Sequence, residues 1–190
     1  MVGVKDKRSA GNLAFLDLEM TGLSLQRDAI IQAALIITDA ELQPLDEYCC
    51  DIWQPEAALE VMSPFVRDMH EKNGLIERVR ASRVDLREAE RQLLSRITAL
   101  CPYPAVLCGN TIWVDRGFLE RDMPGLCGYL HYRMVDVTSF RLMTERWLGP
   151  QATFNKPTEG EHDALVDIRN SIAELKHYRT RLGRLPPPKA

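Results

Sequence analysis

The apolar positions of the chain alternate between short continuous runs and helical spacing, and each switch marks an element. Asn12 and the apolar run Leu13–Leu16 predict a first strand, with Asp17 and Glu19 at its end and a turn at Gly22. Ala29–Ile37 is almost continuously apolar, as expected of a strand buried on both faces. A polar turn over Asp39–Pro44 precedes a third strand, Leu45–Trp53. Three strands joined by short turns predict an antiparallel meander.

Helical spacing then takes over. Ser63 as N-cap and Pro64 at the first helical position open a helix that runs to about Lys72, closed by Asn73-Gly74. Asp85, with Glu88 three residues on, caps a longer helix whose apolar face is Leu86, Ala89, Leu93, Leu94, Ile97 and Leu100. Ala105–Gly109 predicts a short buried strand, and a helix follows Asn110-Thr111 through Met123. Met134–Val137 predicts a fifth strand and Ser139–Leu148 a helix. Gly149–Gly160 reads as a polar loop, and His162 opens a last helix with core positions Leu165, Ile168, Ile172 and Leu175. A meander followed by helices and then strand–helix alternation predicts an α/β fold, a mixed five-stranded sheet flanked by helices.

The 190 residues, 45% hydrophobic and 27% charged, suit a single domain, here residues 12–182. Residues 1–11 carry three basic side chains and no secretory hydrophobic core, so they read as a disordered lead-in; residues 183–190, with three successive prolines, read as a loose tail. No apolar run reaches membrane-spanning length. Five cysteines without a C-x-x-C spacing point to reduced thiols, a cytoplasmic location and no zinc site. Lys plus Arg is 24 against 27 for Asp plus Glu. That balance lacks the basic excess of proteins that grip long nucleic acids, so a polyanionic substrate would be a short one. The basic run Lys176, His177, Arg179, Arg181 and Arg184 is expected to complement a helix C-terminus.

Within this framework, Asp17 and Glu19 are two residues apart on a strand and so share a face. Carboxylates held that close repel unless protonated or bridged by a cation, and hard oxygen ligands favour magnesium or manganese. A bare D-x-E is more often a pair of solvated acids, so the assignment depends on further ligands downstream. Asp115 follows the fourth strand, where an Asp beside an Arg usually complements a helix dipole. His162 and Asp167 open the last helix. Five residues is about 500° of rotation, so they converge only if His162 stands at the helix entrance.

Taken together, D-x-E, a later Asp and H-x-x-x-x-D occur in the order of the DEDDh 3′→5′ exonucleases, which this sequence resembles. Asp17-Leu18-Glu19-Met20-Thr21-Gly22-Leu23, Cys108-Gly109-Asn110-Thr111, His131-Tyr132-Arg133-Met134-Val135-Asp136-Val137 and Asp167-Ile168-Arg169-Asn170-Ser171 closely resemble the oligoribonuclease family, over about Asn12 to Arg181. Proofreading exonucleases share the acids but generally lack the His131–Arg133 segment and the Gly74–Val79 stretch.

The resemblance implies a ribonuclease-H-like fold and 3′→5′ hydrolysis of very short RNA, down to dinucleotides. Asp17, Glu19, Asp115 and Asp167 would hold two divalent ions, Mg2+ or Mn2+, with Asp17 bridging them and Asp115 acting through water. His162 would be the general base. Two metals roughly 4 Å apart can activate a water and stabilise the leaving oxygen, and a histidine near neutral pKa suits the base. Leu23 and Phe65 would sandwich the bases, although each could equally be core; Phe65 stands where the family commonly has tryptophan. His70 matches a position near the substrate. Thr111, His131, Tyr132, Arg133 and Thr138 would cap the 5′ phosphate, some of them supplied by the partner in a homodimer. Gln32 replaces a frequent Glu and is not counted as a ligand; Val166 replaces a second acid seen in some relatives. The alternatives are a DEDDh exonuclease acting on longer DNA or RNA ends and a non-catalytic nucleic-acid-binding module, the latter disfavoured because every acid and the histidine are present.

Overall fold

The computed structural model describes residues 7–157 and 163–182. Its middle strand is β1 (Leu13–Met20), set in a five-stranded sheet with β2 (Ile30–Thr38), β3 (Pro44–Asp51), β4 (Ala105–Gly109) and β5 (Leu130–Asp136), in the order β3-β2-β1-β4-β5. β1, β2 and β3 form the expected antiparallel meander, whereas β1, β4 and β5 run parallel. Every residue of β2 is buried, as its unbroken apolar run demands.

Helices cover both faces. On one, α4 (Leu86–Leu100), α5 (Trp113–Asp122) and α6 (Pro124–Tyr129) pack Leu93, Ile97, Phe118 and Leu126 against Ala14, Leu16 and Leu18. On the other, α8 (Ala164–Leu182) lays Ile168, Ile172 and Tyr178 against Phe15, Ala34 and Ile36, close to Val137 at the start of α7 (Val137–Leu148). Three short helices, α1 (Glu56–Glu60), α2 (Pro64–Lys72) and α3 (Leu75–Ala81), build a satellite core of Leu59, Met62, Leu75 and Val79 on Ile31. The anticipated caps are in place: Ser63 Oγ accepts from Val66 N at 3.3 Å and Asp85 Oδ1 from Glu88 N at 2.8 Å.

β1 runs through Asp17 and Glu19 to Met20, with the acids paired to Ala34 and Gln32 at the expected end of the strand. Several boundaries differ from expectation. β5 begins at Leu130, not Met134, because His131-Tyr132-Arg133 belongs to an edge strand, where exposed polar residues are tolerated and mask the apolar signal. α6 occupies part of the interval before it, and α7 starts at Val137. α1 and α3, too short for helical periodicity to register, were not anticipated either. Residues 7–12 are tied down rather than loose: Ser9 N donates to Leu100 O at 3.1 Å and Asn12 Nδ2 to Lys7 O at 2.8 Å. The basic ending of α8 is structural, with Arg179 on Glu41 and His177 Nε2 donating to Ala152 O at 2.8 Å. Residues 1–6 and the tail 183–190 lie outside the described residues.

Candidate active site

The alternation of β1 decides where its acids go. Ala14, Leu16 and Leu18 face the α4 side, so Phe15, Asp17 and Glu19 face α8. β4 pairs with β1 only as far as Phe15, which leaves Asp17 and Glu19 beyond the carboxyl end of their parallel neighbour. Such crevices at the carboxyl ends of parallel strands are where open α/β sheets bind ligands.

α8 supplies the third acid. Its N-terminus docks on β2 through Gln32, whose Oε1 accepts from Ala164 N at 3.1 Å while Nε2 donates to Asp51 Oδ1 at 2.7 Å. An amide can do both; an ionised carboxylate at this position could not donate to Asp51. Asp163 caps the helix, accepting from Leu165 N at 3.2 Å and Val166 N at 3.3 Å. Asp167, in the first turn, then meets β1: carboxylate oxygens of Asp17, Glu19 and Asp167 all lie within 4.8 Å of one another. Asp115 sits buried behind them in the first turn of α5, its Oδ1 accepting from Leu18 N at 3.0 Å. It is therefore neither a surface pair nor a simple dipole complement. His162 lies outside the described residues.

Burial drives the Asp17 carboxyl well above its usual range, reinforced by Asp115, Glu19 and Asp167. Glu19 is pushed up to about 8, again first by burial and then by Asp167 and Asp115, and burial raises Asp115 to about 7. Acids this close and this dry call for a cation, and the donors are all hard oxygens, so the residues fit a magnesium- or manganese-type site. One cation is already there. Lys156 Nζ lies 2.8 Å from Asp167 Oδ1, in a stretch whose sequence carries no signal of it.

A cavity of about 460 Å³ opens over the cluster, lined in part by Asp17, Glu19, Leu23, Phe65, Lys156 and Asp167. Leu23 is 75% exposed and Phe65 76% exposed, which excludes core packing for both. Leu23 stands on a braced loop. Asp28 accepts from Ser24 N at 2.8 Å and pairs with Arg27 at 3.0 Å, while Arg121 donates to the carbonyls of Leu25 and Asp28. Burial works against the Asp28 carboxylate, yet these hydrogen bonds outweigh it and hold its pKa low.

Not every expected contact faces this cavity. His70 is fully buried, its Nε2 donating to Met20 O at 3.1 Å and lying 3.9 Å from Glu19. From α2 it braces the end of β1, and it is not among the residues that line the cavity. Thr111 and Thr138 do come together beside Asn110: Thr111 N donates to Thr138 Oγ1 at 3.0 Å and to Asp136 Oδ1 at 3.0 Å. Thr111 holds φ at 52°, a left-handed conformation stabilised by those two bonds. His131, Tyr132 and Arg133 are not among the residues lining the cavity; they lie along β5, with Tyr132 stacked on His131 and the Arg133 guanidinium over the Tyr132 ring.

The RNase_T family, described as an exonuclease family, matches residues 14–175. The chain is 48% identical over 171 residues to an oligoribonuclease of Streptomyces griseus, covering 88% of this chain and 84% of that one. It is 46% identical over 179 residues to an oligoribonuclease of Mycobacterium sp. (strain KMS), covering 92% and 83%. Exonuclease I of E. coli in complex with a dT13 oligonucleotide superposes with a TM-score of 0.68 at 17% identity, over 92% of this chain but only 42% of that chain, a likeness of fold.

Two outcomes are expected. The metal-free protein loses stability as pH rises: Glu19 goes from 4.5 to about 8 and Asp115 from 3.8 to about 7 on folding, so the folded state binds more protons between those limits and deprotonation favours unfolding. The melting temperature with EDTA should fall from about pH 4 to pH 8, and Mn2+ should reverse the fall; a flat metal-free profile would count against a repulsive cluster. Separately, a Cβ on Gly22 would lie 2.7 Å from Asp28 Cγ, whereas one on Gly11 would meet nothing closer than 3.5 Å. Gly22→Ala should therefore lose about 1–3 kcal/mol in urea denaturation and Gly11→Ala less than about 0.5 kcal/mol.

Proposed function

This chain belongs to the exonuclease family, on its oligoribonuclease branch, and from that membership we propose how it selects and cleaves its substrate. It is a 3′→5′ exoribonuclease, a phosphodiester hydrolase on a ribonuclease-H-like fold. The reading advanced here is that its substrates are short oligoribonucleotides, dinucleotides above all, released as 5′-mononucleotides. One observation carries it: the acids of β1 and α8 and two exposed apolar side chains, Leu23 and Phe65, open on one cavity.

Asp17, Glu19 and Asp167, with Asp115 behind them, would hold two divalent cations, magnesium or manganese. When bound, such a pair activates a water and stabilises the charge on the leaving 3′ oxygen of an in-line displacement. His162 takes the proton from the attacking water. The water oxygen bonds to phosphorus as the bond from phosphorus to the 3′ oxygen breaks. Leu23 and Phe65 bracket the bases; stacking on an aromatic contributes about 1–3 kcal/mol, and phenylalanine offers a smaller surface than tryptophan. Thr111 and Thr138 receive the 5′ phosphate, with the planar fork of Arg133 suited to bond two of its oxygens. A capped 5′ end accounts for preference for short chains and agrees with a net charge of −3.

The cap is completed by a second copy of the chain. Tyr132 is 70% exposed on the edge strand, and α7, which follows directly, turns Phe140, Met143 and Trp147 outward at helical spacing. An exposed apolar stripe of this kind fits an isologous dimer that brings each His131–Arg133 segment to the other subunit's site. Among the described residues no helix is long and apolar enough to cross a membrane, and the enzyme is read as cytoplasmic.

Turnover of a 5′-phosphorylated dinucleotide should exceed that of a ten-mer by about 100-fold or more, the scale on which misplacing a substrate slows its reaction. Asp17→Ala, still folded, should process neither. Equal rates on the two substrates would instead favour an enzyme of longer DNA or RNA ends. Trp147→Glu should shift the sedimentation mass from dimer to monomer and lower dinucleotide turnover; a monomeric parent protein would remove the shared cap.

A further inference from the structure

We propose that Lys156 is a displaceable counter-ion of the acid cluster: its ammonium occupies a cation position beside Asp167 in the metal-free protein, yields it to the metal, and then binds the scissile phosphate. This rests on the reading of Asp17, Glu19, Asp115 and Asp167 as metal ligands given above.

Lys156 Nζ is 2.8 Å from Asp167 Oδ1, and Asp167 in turn is one of the three acids whose oxygens gather within 4.8 Å. Lys156 also lines the cavity together with Leu23, Phe65 and Asn110, so its head group already stands in the space a nucleotide would fill. Among the described residues no other Lys or Arg lines this cavity.

Charge balance gives the direction of exchange. Four carboxylates and two divalent cations cancel formally, so with the metals bound the ammonium has no net negative charge left to neutralise. It is then repelled by the ions that replace it. A phosphodiester entering the cavity restores a single negative charge, and a flexible lysine stem lets the ammonium reach it by rotation about side-chain torsions. The negative charge on the non-bridging oxygens builds up as water attacks, and a cation placed there opposes that build-up. The same lysine thus serves two states: it limits repulsion among the acids before metal binds, and it offsets the charge of the substrate afterwards.

The test uses the full-length protein and two variants, Lys156→Met, which keeps the stem and removes the charge, and Lys156→Arg, which keeps the charge. Mn2+ binding is measured by calorimetry without nucleotide. Because a partly exposed ion pair is worth up to about 1 kcal/mol, Lys156→Met should bind Mn2+ about two- to fivefold more tightly than the parent. A non-hydrolysable dinucleotide carrying a methylene in place of the 3′ bridging oxygen is then titrated into the Mn2+-loaded proteins. Lys156→Met should bind it about tenfold more weakly, and Lys156→Arg within about threefold of the parent. Unchanged or weaker Mn2+ binding by Lys156→Met overturns the displacement, and unchanged dinucleotide affinity overturns the phosphate contact; either result defeats the proposal. Failure of the parent itself to bind the dinucleotide would instead defeat the substrate reading, leaving the Mn2+ comparison to decide the role of Lys156.

Discussion

Repulsion among carboxylates that the fold forces together is the constraint on which the rest of this molecule depends. Asp17 and Glu19 cannot separate, because successive same-face positions of a strand are fixed by the pleat. Their backbone cannot shift to relieve this either, because β1 is the middle strand and its same face packs on α8 through Phe15. The surrounding apolar core, Phe15 with Ala34, Ile36, Ile168 and Tyr178, supplies the free energy that keeps the acids in place. The site is thus a locally unfavourable arrangement held by a favourable one, and a cation is the natural relief.

Several features away from the acids serve that arrangement. Gln32 is paired opposite Glu19 in the sheet, where a further carboxylate would add to the repulsion. As an amide it instead joins β2 to the N-terminus of α8 and to Asp51, which sets the height at which Asp167 arrives. His70 stands behind Glu19 and fixes the carbonyl of Met20 at the end of the strand. Asn110, at the end of β4, donates to Ser171 Oγ at 2.9 Å and accepts from Thr138 at 3.3 Å, so α8, β4 and the start of α7 are linked beneath the cavity. The carboxyl ends of three parallel strands and one helix start are thereby held in a single frame.

What could be read from the sequence followed from local physics. The β2 run, the Ser63 and Asp85 caps and the apolar face of α4 each rest on one element's own periodicity or capping chemistry, and the structure agrees with them. Asp17 and Glu19 were legible as a pair because strand alternation is a local rule. The burial of Asp115 was not, since its partner, Leu18 N, is 97 residues away. The edge strand through His131–Arg133 was hidden because exposed strands need not be apolar, and the burial of His70 was not legible because helical spacing alone does not say what a side chain packs against.

Lys156 shows the limit most clearly. A lysine in a polar loop has no periodicity, no cap and no motif, and its chemistry arises only when α8 and β1 close on it. Asp163, by contrast, is a residue type favoured at helix N-caps, and the structure uses it as the cap of α8, one residue beyond the expected opening at His162. The difference is between interactions made within a few residues of chain and those made across the fold. Electrostatic complementarity belongs to the second kind: the pair on β1 meets Asp167 of α8 only through the fold, and Lys156 answers these acids through a contact of the same distant kind.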